Sequence, residues 1–562
     1  MAEDLDSNDP EVRLSQFLYV GKEYPDYQPG NWFVHNYFLT KNVPSIEELA
    51  GNSQKRLLPV DIINKAFESN LVPNPETLVF ALAVCCRQTK TNILREEAYL
   101  AVDRICVSPQ HFILFIKFAS EIRANDEQEE IEQISEQEEI EQMSEQKEIE
   151  QIRNGWGHGL RKTVSNWYSS KSAMELAKCV TRYKSRYGWK HKDIIKMCHP
   201  APKNPDTQLV FKYVVRGLGK IQESSIEDPV LLDILKYIKR VEDFKHCTNE
   251  VEAADLLEVN RLTLDHVPGH LLKSKEIWTA LIPSMNLVML LTNLQRIHNL
   301  KLLKPGSPIV SKIIKQITNK ENIARDKVHP VLIFVTIKTY ENSGKILKYE
   351  KMKLFNKPLL TPPEPNFKII DALYKMWNIS FFHVQSTDLR YMITISMNKA
   401  MLETHIWRNS NINGAEAGCM IALALLRSEK NVTVATFKNG GVHIEEIIEK
   451  NVTFNQLMKK LQEMPVGTIN LGKPMSWAGN KNYKYDVFIN IVDQIFEKFD
   501  TSEEALQAYN TKLKLKNTKL INCAVCSSST YRKQKSNKNI LTMNGFDAST
   551  PVVIQAFVKS LF

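Results

Sequence analysis

Lysines, arginines and aromatic residues are concentrated together in one stretch of the chain, residues 161–203. This stretch holds eleven Lys and Arg residues and only two acidic ones, Glu175 and Asp193, which gives it a net charge of +9. Cations hold the phosphates of a nucleic acid, and aromatic side chains stack on its bases. The composition therefore predicts a surface that binds a nucleic acid.

Three of these cations recur every four residues, which predicts that they share one side of a helix. Lys178, Arg182 and Arg186 fall within a predicted helix over residues 174–187, and residues four apart are neighbours on a helix surface. Such a ridge offers docking positions to successive phosphates. The remaining candidate RNA contacts are Arg161, Lys162, Lys184, Lys190, His191, Lys192, Lys196 and His199.

The aromatic residues of the same stretch also allow a simpler interpretation. Trp167, Tyr183 and Trp189 can be core residues, with the lysines forming an ordinary solvated face. For any one residue this interpretation is favoured. The local concentration of charge favours nucleic-acid binding for the group as a whole.

Patterns typical of catalytic or zinc sites are lacking in the sequence. Cys523 and Cys526 are separated by two residues, but no second cysteine pair or histidine cluster completes a zinc site. Gly217 and Gly219 form only a fragment of a phosphate-binding loop, and no Gly-x-Ser-x-Gly motif occurs. We therefore expect a binding protein and not an enzyme.

Composition and charge are those of a globular protein with more than one domain, since 562 residues are 43% hydrophobic and 24% charged. The net charge is +9, but an acidic nine-residue repeat over residues 127–151 carries −10, which leaves +19 elsewhere. We expect this repeat to be an exposed insertion, because its period forms no continuous apolar stripe on a helix. No apolar run is long enough to cross a membrane, and the first ten residues do not resemble a secretory signal. These features predict an intracellular protein without a membrane partner.

Two parts with different periodicity follow each other along the chain. Residues 59–340 are predicted as successive helices with short connections, which is typical of a helical-repeat array. A proline cluster at residues 362–365 predicts the boundary between two domains, residues 1–365 and 366–562. In the second domain, short β-rich runs alternate with helical segments, which predicts a doubly wound α/β domain with a mostly parallel sheet.

Motifs in both parts resemble those of the TROVE-domain family of Ro ribonucleoproteins. The resemblance extends over nearly the whole chain, with the motifs in the family's order. The motifs are Pro75-Glu-Thr-Leu-Val-Phe-Ala-Leu-Ala, Asn154-Gly-Trp-Gly-His-Gly-Leu-Arg-Lys, Thr181-Arg-Tyr-Lys-Ser-Arg-Tyr-Gly-Trp-Lys-His-Lys-Asp, Leu272-Lys-Ser-Lys-Glu-Ile-Trp, Val328-His-Pro, Pro474-Met-Ser-Trp-Ala, Asp486-Val-Phe-Ile and Gly545-Phe-Asp.

The resemblance implies a ring of HEAT-like helical repeats closed by a von Willebrand factor A-like (vWA-like) domain. It implies that a Y RNA binds the basic outer face, where the family's contact positions fall on Arg182, Arg186 and His199. It also implies that the hole of the ring takes single-stranded 3′ ends of misfolded small noncoding RNAs, in noncoding RNA quality control. The expected location is cytoplasmic, with a nuclear one also open.

The vWA-like domain departs from the metal-site pattern of that fold. The pattern Asp-x-Ser-x-Ser supplies a carboxylate and two hydroxyls to Mg²⁺, and the matching positions here are Met392, Thr394 and Ser396. The threonine of a later loop corresponds to Ile469, whereas Asp493 is retained. Because the first carboxylate is replaced, we expect no divalent metal and no other cofactor.

A protein-interaction scaffold is the alternative function, with partners bound through the vWA-like domain. Helical arrays and vWA-like domains both bind proteins in many cases. Salt dependence distinguishes the two functions, because RNA binding through about six phosphates weakens steeply as salt rises.

Overall fold

The structure is a computed structural model, and it describes most of the chain. The described residues are 8–30, 38–131, 156–183, 185–222, 228–343, 364–439, 441–444, 450–496, 501–528 and 537–562. Within them, every helix is too short or too polar to traverse a lipid bilayer. The chain divides into a helical unit, Asp9–Leu18 with Phe33–Ile277, and a sheet unit, Met1–Asn8 with Tyr19–Trp32 and Trp278–Phe562.

Consecutive helices with mostly short connections make up the helical unit. They are α1 (Pro10–Val20), α2 (Ser45–Gly51), α3 (Leu58–Ser69), α4 (Glu76–Arg87), α5 (Asn92–Ile105), α6 (Pro109–Ile131), α7 (His158–Ser169), α8 (Ala173–Arg182), α9 (His191–Cys198), α10 (Pro205–Arg216), α11 (Leu218–Gln222), α12 (Pro229–His246), α13 (Glu250–Val259) and the start of α14 (Lys275–Leu281).

Local sequence sets the beginnings of two helices, α8 within the basic stretch and α10 just after it. Ser172 and Glu175 form a capping box at the start of α8, in which each side chain accepts from the other residue's backbone N–H. Asn204 forms the corresponding box with Thr207 at the start of α10, where Pro205 occupies the first helical position. These caps satisfy backbone N–H groups that the helices themselves leave unpaired.

Buried aromatic rings pack the helices of this unit against one another. The rings of Phe112 on α6 and Trp167 on α7 are parallel, with centroids 3.7 Å apart. Tyr168 meets both rings edge-on and is also fully buried. Trp167 is therefore a core residue, as the simpler interpretation of the sequence had it, and neither it nor Tyr168 is placed to stack on an RNA base.

The sheet unit contains the remaining helices and all nine described strands. The strands are β1 (Asp26–Tyr27), β2 (Arg390–Ile395), β3 (His405–Ile406), β4 (Asn409–Asn413), β5 (Asn431–Lys438), β6 (Gly441–Ile444), β7 (Val487–Val492), β8 (Lys519–Ala524) and β9 (Ile540–Asn544). The helices are α15 (Leu287–Asn299), α16 (Pro308–Thr318), α17 (Lys320–Asp326), α18 (Pro330–Glu341), α19 (Phe367–Ser380), α20 (Lys399–Glu403), α21 (Gly414–Ser428), α22 (Phe454–Glu463), α23 (Lys473–Lys481), α24 (Ser502–Leu513) and α25 (Thr550–Val558).

Seven strands form one sheet in the order β1-β9-β8-β7-β2-β5-β6. All neighbours are parallel except β5 and β6, which form an antiparallel pair. Every residue of β7 and β8 is buried, as expected for central strands that helices cover on both faces. The predicted combination of an all-α part with an α/β domain is confirmed.

One strand of this sheet comes from the beginning of the chain and had no counterpart in the sequence prediction. β1 pairs in parallel with β9, with Asp26 opposite Thr542. The Asn544 amide donates to the Asp26 carboxylate at 2.6 Å, and the Tyr27 hydroxyl donates to Asp547 at 3.0 Å. A two-residue strand carries no periodicity from which it could be predicted.

The division into compact units does not coincide with the domain boundary predicted at residue 365. Helices after residue 278 belong to the sheet unit because α18 packs against both α19 and α21, and α16 against α19. Hydrophobic periodicity identifies such helices but does not tell which core they enter. Residues 362 and 363 of the proline cluster lie outside the described residues.

Candidate nucleic-acid interface

Helix α8 buries one side and presents its cations on the other. Leu176, Ala177 and Val180 are buried, whereas Lys178 is exposed. This distribution follows from the spacing of apolar residues every three to four positions, which turns them to one face. The exposure of Lys178 thus follows from the same pattern that fixes the helix in the core.

The predicted helix over residues 174–187 ends at Arg182, which corrects the prediction of a single ridge. Arg186 instead pairs with Trp189 across a tight antiparallel turn, through backbone hydrogen bonds of 3.0 and 2.9 Å. The two central residues, Tyr187 and Gly188, have φ of 51° and 83°. Two successive positive φ angles are typical of tight hairpin turns and are incompatible with a continuing helix.

Arg182 makes an ion pair with Asp265, which lies in a 3-10 turn at Leu264–His266. Its Nε and a terminal nitrogen lie 2.7 and 2.6 Å from the same carboxylate oxygen, and the Tyr183 hydroxyl donates to that oxygen at 3.1 Å. Burial and the Asp265 charge raise the pKa of Tyr183 to about 12. Part of the Arg182 charge is therefore compensated within the protein, although 33% of the side chain remains exposed.

Arg186 lies between two aromatic rings and is half-buried. Its guanidinium carbon lies 5.4 Å from the ring centroid of Tyr183 and 5.3 Å from that of Tyr187. Among the described residues, its buried Nε has no hydrogen-bond acceptor. Burial raises the pKa of Glu76, and the positive charge of Arg186 partly opposes that rise. The rings hold the guanidinium in place without neutralising it.

His191 is a core residue, and its assignment as an RNA contact is corrected. Only 5% of the residue is exposed, and its Nδ1 is 2.8 Å from the hydroxyl of Tyr168. Burial, followed by the charge of Lys245, lowers the pKa of His191 to about 4. The ring is neutral near pH 7 and lies beneath the surface, so that it neither attracts nor reaches a phosphate.

The other candidate contacts that the structure describes lie at the surface. His199 caps the end of α9 in the left-handed conformation, with φ of 46° and its backbone N–H bonded to the carbonyl of Ile195 at 3.0 Å. Lys184 lies outside the described residues. Arg161, Lys162, Lys178, Lys190, Lys192, Lys196 and His199 are exposed.

Asp265 pairs with one of the predicted RNA contacts, Arg182, and no pattern in the sequence points to it. It is 83 residues from Arg182 along the chain and becomes its neighbour only through helix packing. Lys171 is a second missed feature, because its ammonium lies 3.4 Å from the ring centroid of Trp167 and it donates to the carbonyl of that residue. Both interactions hold the surface together, although Arg182 keeps part of its charge for a ligand.

The metal-site positions of the vWA-like domain do not make up a complete set of ligands. Met392 is fully buried in an apolar cluster, where a carboxylate would have no counterion. The hydroxyls of Thr394 and Ser396 are buried without a protein partner among the described residues. Asp493 accepts a hydrogen bond from Asn398 at 3.3 Å. Over the described ranges, no group of three His, Cys, Asp or Glu residues has the arrangement of a metal site.

The structure has an all-α unit with a cationic surface and a sheet unit of the vWA type. These two features define a class of proteins that contain both a helical domain and a vWA-like domain. The chain belongs to the TROVE-domain family. The TROVE domain model matches residues 53–230 and 257–413, and the Ro60 vWA domain model matches residues 390–558.

Similar proteins include two curated relatives, each with the name RNA-binding protein RO60. The protein of Caenorhabditis elegans is 23% identical over 604 aligned positions, which cover 98% of this chain and 88% of the relative. That of Deinococcus radiodurans is 24% identical over 413 positions, 72% of each chain. The crystal structure of the Deinococcus radiodurans RO (RSR) protein has a TM-score of 0.79 at 20% identity, covering 98% of this chain and 100% of that one, which supports the fold.

Proposed function

We propose that this chain is an RNA-binding protein and that the exposed cations of α7, α8 and α9 are its main RNA interface. The main observation behind the proposal concerns the exposure of these cations and their pairing with acidic residues. Among the described residues, Lys178, Lys192 and Lys196 are exposed and have no acidic partner within ion-pair distance. The names of the two curated relatives support the same activity.

In this proposal the ligands are structured small RNAs of the Y RNA class and misfolded small noncoding RNAs. The protein binds and retains them in quality control without catalysing a reaction, and it does so in the cytoplasm and also in the nucleus. The family membership supports these finer assignments, since the residues that correspond to the family's RNA contacts include the exposed His199 and the partly exposed Arg182 and Arg186.

Salt dependence of RNA affinity tests the proposal. The variant Lys178→Ala/Lys192→Ala/Lys196→Ala removes three exposed cations that make no ion pair within the described residues. For three lost phosphate contacts, the slope of log K against log salt should fall by about 2 to 3, measured by fluorescence anisotropy with a labelled hairpin RNA.

A matched control removes the same charge from the sheet unit. Lys473, Lys481 and Lys484 are exposed in that unit and likewise make no ion pair with the described residues. Their replacement by Ala should leave the slope within about 0.5 of the wild-type value. Equal slopes for wild type and both variants would show that the α7–α9 surface is not the RNA interface.

We also propose that the vWA-like domain binds no divalent cation. The buried Met392 at the position of the first carboxylate supports this. Titration calorimetry with Mg²⁺ should show no heat of binding, and micromolar affinity would contradict the proposal.

A protein-interaction scaffold remains the second candidate function, and exposed aromatic residues favour it. Phe367 at the start of α19 and Phe382 just after its end are 79% and 87% exposed and present apolar surface to which a protein partner can bind. For this function, a purified partner complex should resist high salt but be weakened by Phe367→Ser/Phe382→Ser. RNA binding by the chain should be unaffected by the same change.

A further inference from the structure

A groove of about 590 Å³ lies on the helical unit between α9 and α10. The segment that connects the two helices, residues 199–204, closes one side of it. The volume is in the range of sites that take a group of the size of a nucleotide. Two of the residues that line it, Lys196 and His199, were among the predicted RNA contacts, and the others were not.

Apolar side chains form the base of the groove. Phe211 is 8% exposed, and Ile195 and Val215 lie beside it, with the rings of Pro200 and Pro202 at the connecting segment. An apolar surface of this kind packs against the face of any nucleobase, which a surface made only of phosphate-binding cations does not do.

Cations stand at the rim of the same groove. Lys212 and Arg216 are four residues apart on α10 and therefore neighbours on its surface, and Lys196 lies across the groove on α9. Among the described residues that line the groove, none is acidic. The rim thus attracts a ligand with negative charge at more than one point.

Two polar side chains at the rim can bond to the edge of a base. Gln208 is exposed one turn before Phe211 and Lys212, and its amide can both donate and accept. His199 is held at the rim by the left-handed backbone at the end of α9. A groove with an apolar floor and polar groups at its edge suits a nucleobase better than it suits an acidic peptide. The carboxylates of such a peptide would leave the apolar floor of the groove unfilled.

We propose that this groove receives an unpaired nucleobase of the bound RNA. The base packs on the rings of Pro200 and Pro202, Gln208 and His199 contact its edge, and the flanking phosphates contact Lys196 and Arg216. The proposal rests on the proposed RNA-binding function and adds to it a site for a single-stranded nucleotide beside the phosphate-binding surface.

The test compares two RNA hairpins that differ only in the presence of the loop bases. The first has a loop of five ordinary nucleotides, and in the second the same five loop nucleotides lack their bases but keep their phosphates. Wild-type protein should bind the first about tenfold more tightly, as expected from the loss of one stacked base. The variant His199→Ala/Gln208→Ala, which removes the contacts to the edge of the base, should reduce this difference.

The control variant Arg161→Ala/Lys162→Ala removes two exposed cations outside the groove. It should weaken both hairpins by the same factor and preserve the difference between them. If wild type binds both hairpins equally, the groove takes no base and the inference fails while RNA binding stands.

Failure to bind either hairpin would instead contradict the proposed function itself. Displacement of the RNA by a ten-residue glutamate peptide at equal concentration would identify an acidic-peptide site and overturn the inference. The wild-type comparison shows whether a base is bound, and the variant of the exposed His199 and Gln208 shows whether it is bound in this groove. An undiminished difference between the hairpins in that variant would place the base elsewhere and overturn the inference.

Discussion

His191 and His199 belong to the same short helix and its cap, yet they have different environments. His191 is buried against the hydroxyl of Tyr168, whereas His199 is at the surface beside a groove. Residue type and local charge assign the two residues equally to RNA. Helical spacing separates them, because His191, Ile194, Ile195 and Cys198 follow the i, i+3, i+4, i+7 pattern of one buried face, and the prediction from charge did not use this signal.

Protonation of His191 makes the stability of the helical unit depend on pH. Its pKa is about 4 in the folded protein, below the ordinary value of about 6.5 in an unfolded chain. The unfolded state therefore binds more protons between these values, so that stability is complete above pH 6.5 and falls as the pH decreases towards 4.

The variant His191→Gln should therefore lose about 1–2 kcal/mol less stability between pH 7 and pH 5 than wild type. Urea unfolding at both pH values measures this. The glutamine retains a polar partner for Tyr168, and His266 and His329, whose pKa values burial also lowers to about 4, are unchanged in both proteins. Parallel pH curves for the two proteins would contradict the role of His191.

Arg182 should contribute to stability as well as to the interface. Replacement by Ala leaves Asp265 and the Tyr183 hydroxyl without their cation, and because both ion-pair partners are partly exposed, the expected loss is only about 1 kcal/mol of unfolding free energy. Chemical unfolding should show a loss of no more than about 0.5 kcal/mol of unfolding free energy for Arg161→Ala, which removes an exposed cation from the same surface. Equal losses for the two variants would mean that the ion pair is not stabilising.

At the scale of elements, long periodic segments could be predicted from the sequence and short ones could not. The sequence predicts helices over Phe454–Glu463 and Ser502–Leu513, and the structure has both; the first begins at a capping box formed by Thr453 and Gln456. The helix predicted to residue 187 was too long, since a recurrence of Lys178, Arg182 and Arg186 every four residues outweighed the turn signal of Gly188. Asp265 could not be identified at all, because tertiary packing alone brings it to Arg182.

The turn after α8 should be sensitive to a methyl group at Gly188. This residue has φ of 83°, which strains any other residue, although no atom lies within 4 Å of the place that a Cβ would take. Gly188→Ala should destabilise the turn by about 1 kcal/mol and lower RNA affinity several-fold by displacing Arg186. Both effects are measurable by chemical unfolding and by anisotropy.

Gly157 provides the matched control for this change. It also has open space within 4 Å of the place of a Cβ, but it caps α7 with φ of −64°, which alanine adopts readily. Gly157→Ala should therefore leave RNA affinity as it is. A similar loss of affinity in both variants would contradict a specific role of the turn.

At the scale of the whole molecule, charge is distributed unevenly along the sequence. Residues 127–151 carry −10, against +19 in the rest of the chain. Beyond residue 131 this acidic segment lies outside the described residues. A segment of this charge competes with RNA for the same cations whenever it reaches them, which makes it a candidate inhibitor of RNA binding.

Deletion of residues 127–151 should raise RNA affinity, most strongly at low salt where electrostatic attraction is least screened. Anisotropy titrations at two salt concentrations measure this. A second variant that replaces the eleven glutamates of the segment by glutamine keeps its length and should have the same effect. Unchanged affinity in both variants would exclude inhibition by this segment.

The pairing of β1 with β9 has a consequence for how the protein is made. Asp26 and Asn544, which join the two strands, are 518 residues apart along the chain. A nascent polypeptide that leaves the ribosome from its N-terminus holds β1 without a partner until almost all of the protein has been synthesised. The last edge of the sheet can therefore assemble only at the end of translation, and a chain terminated before β9 would never complete it.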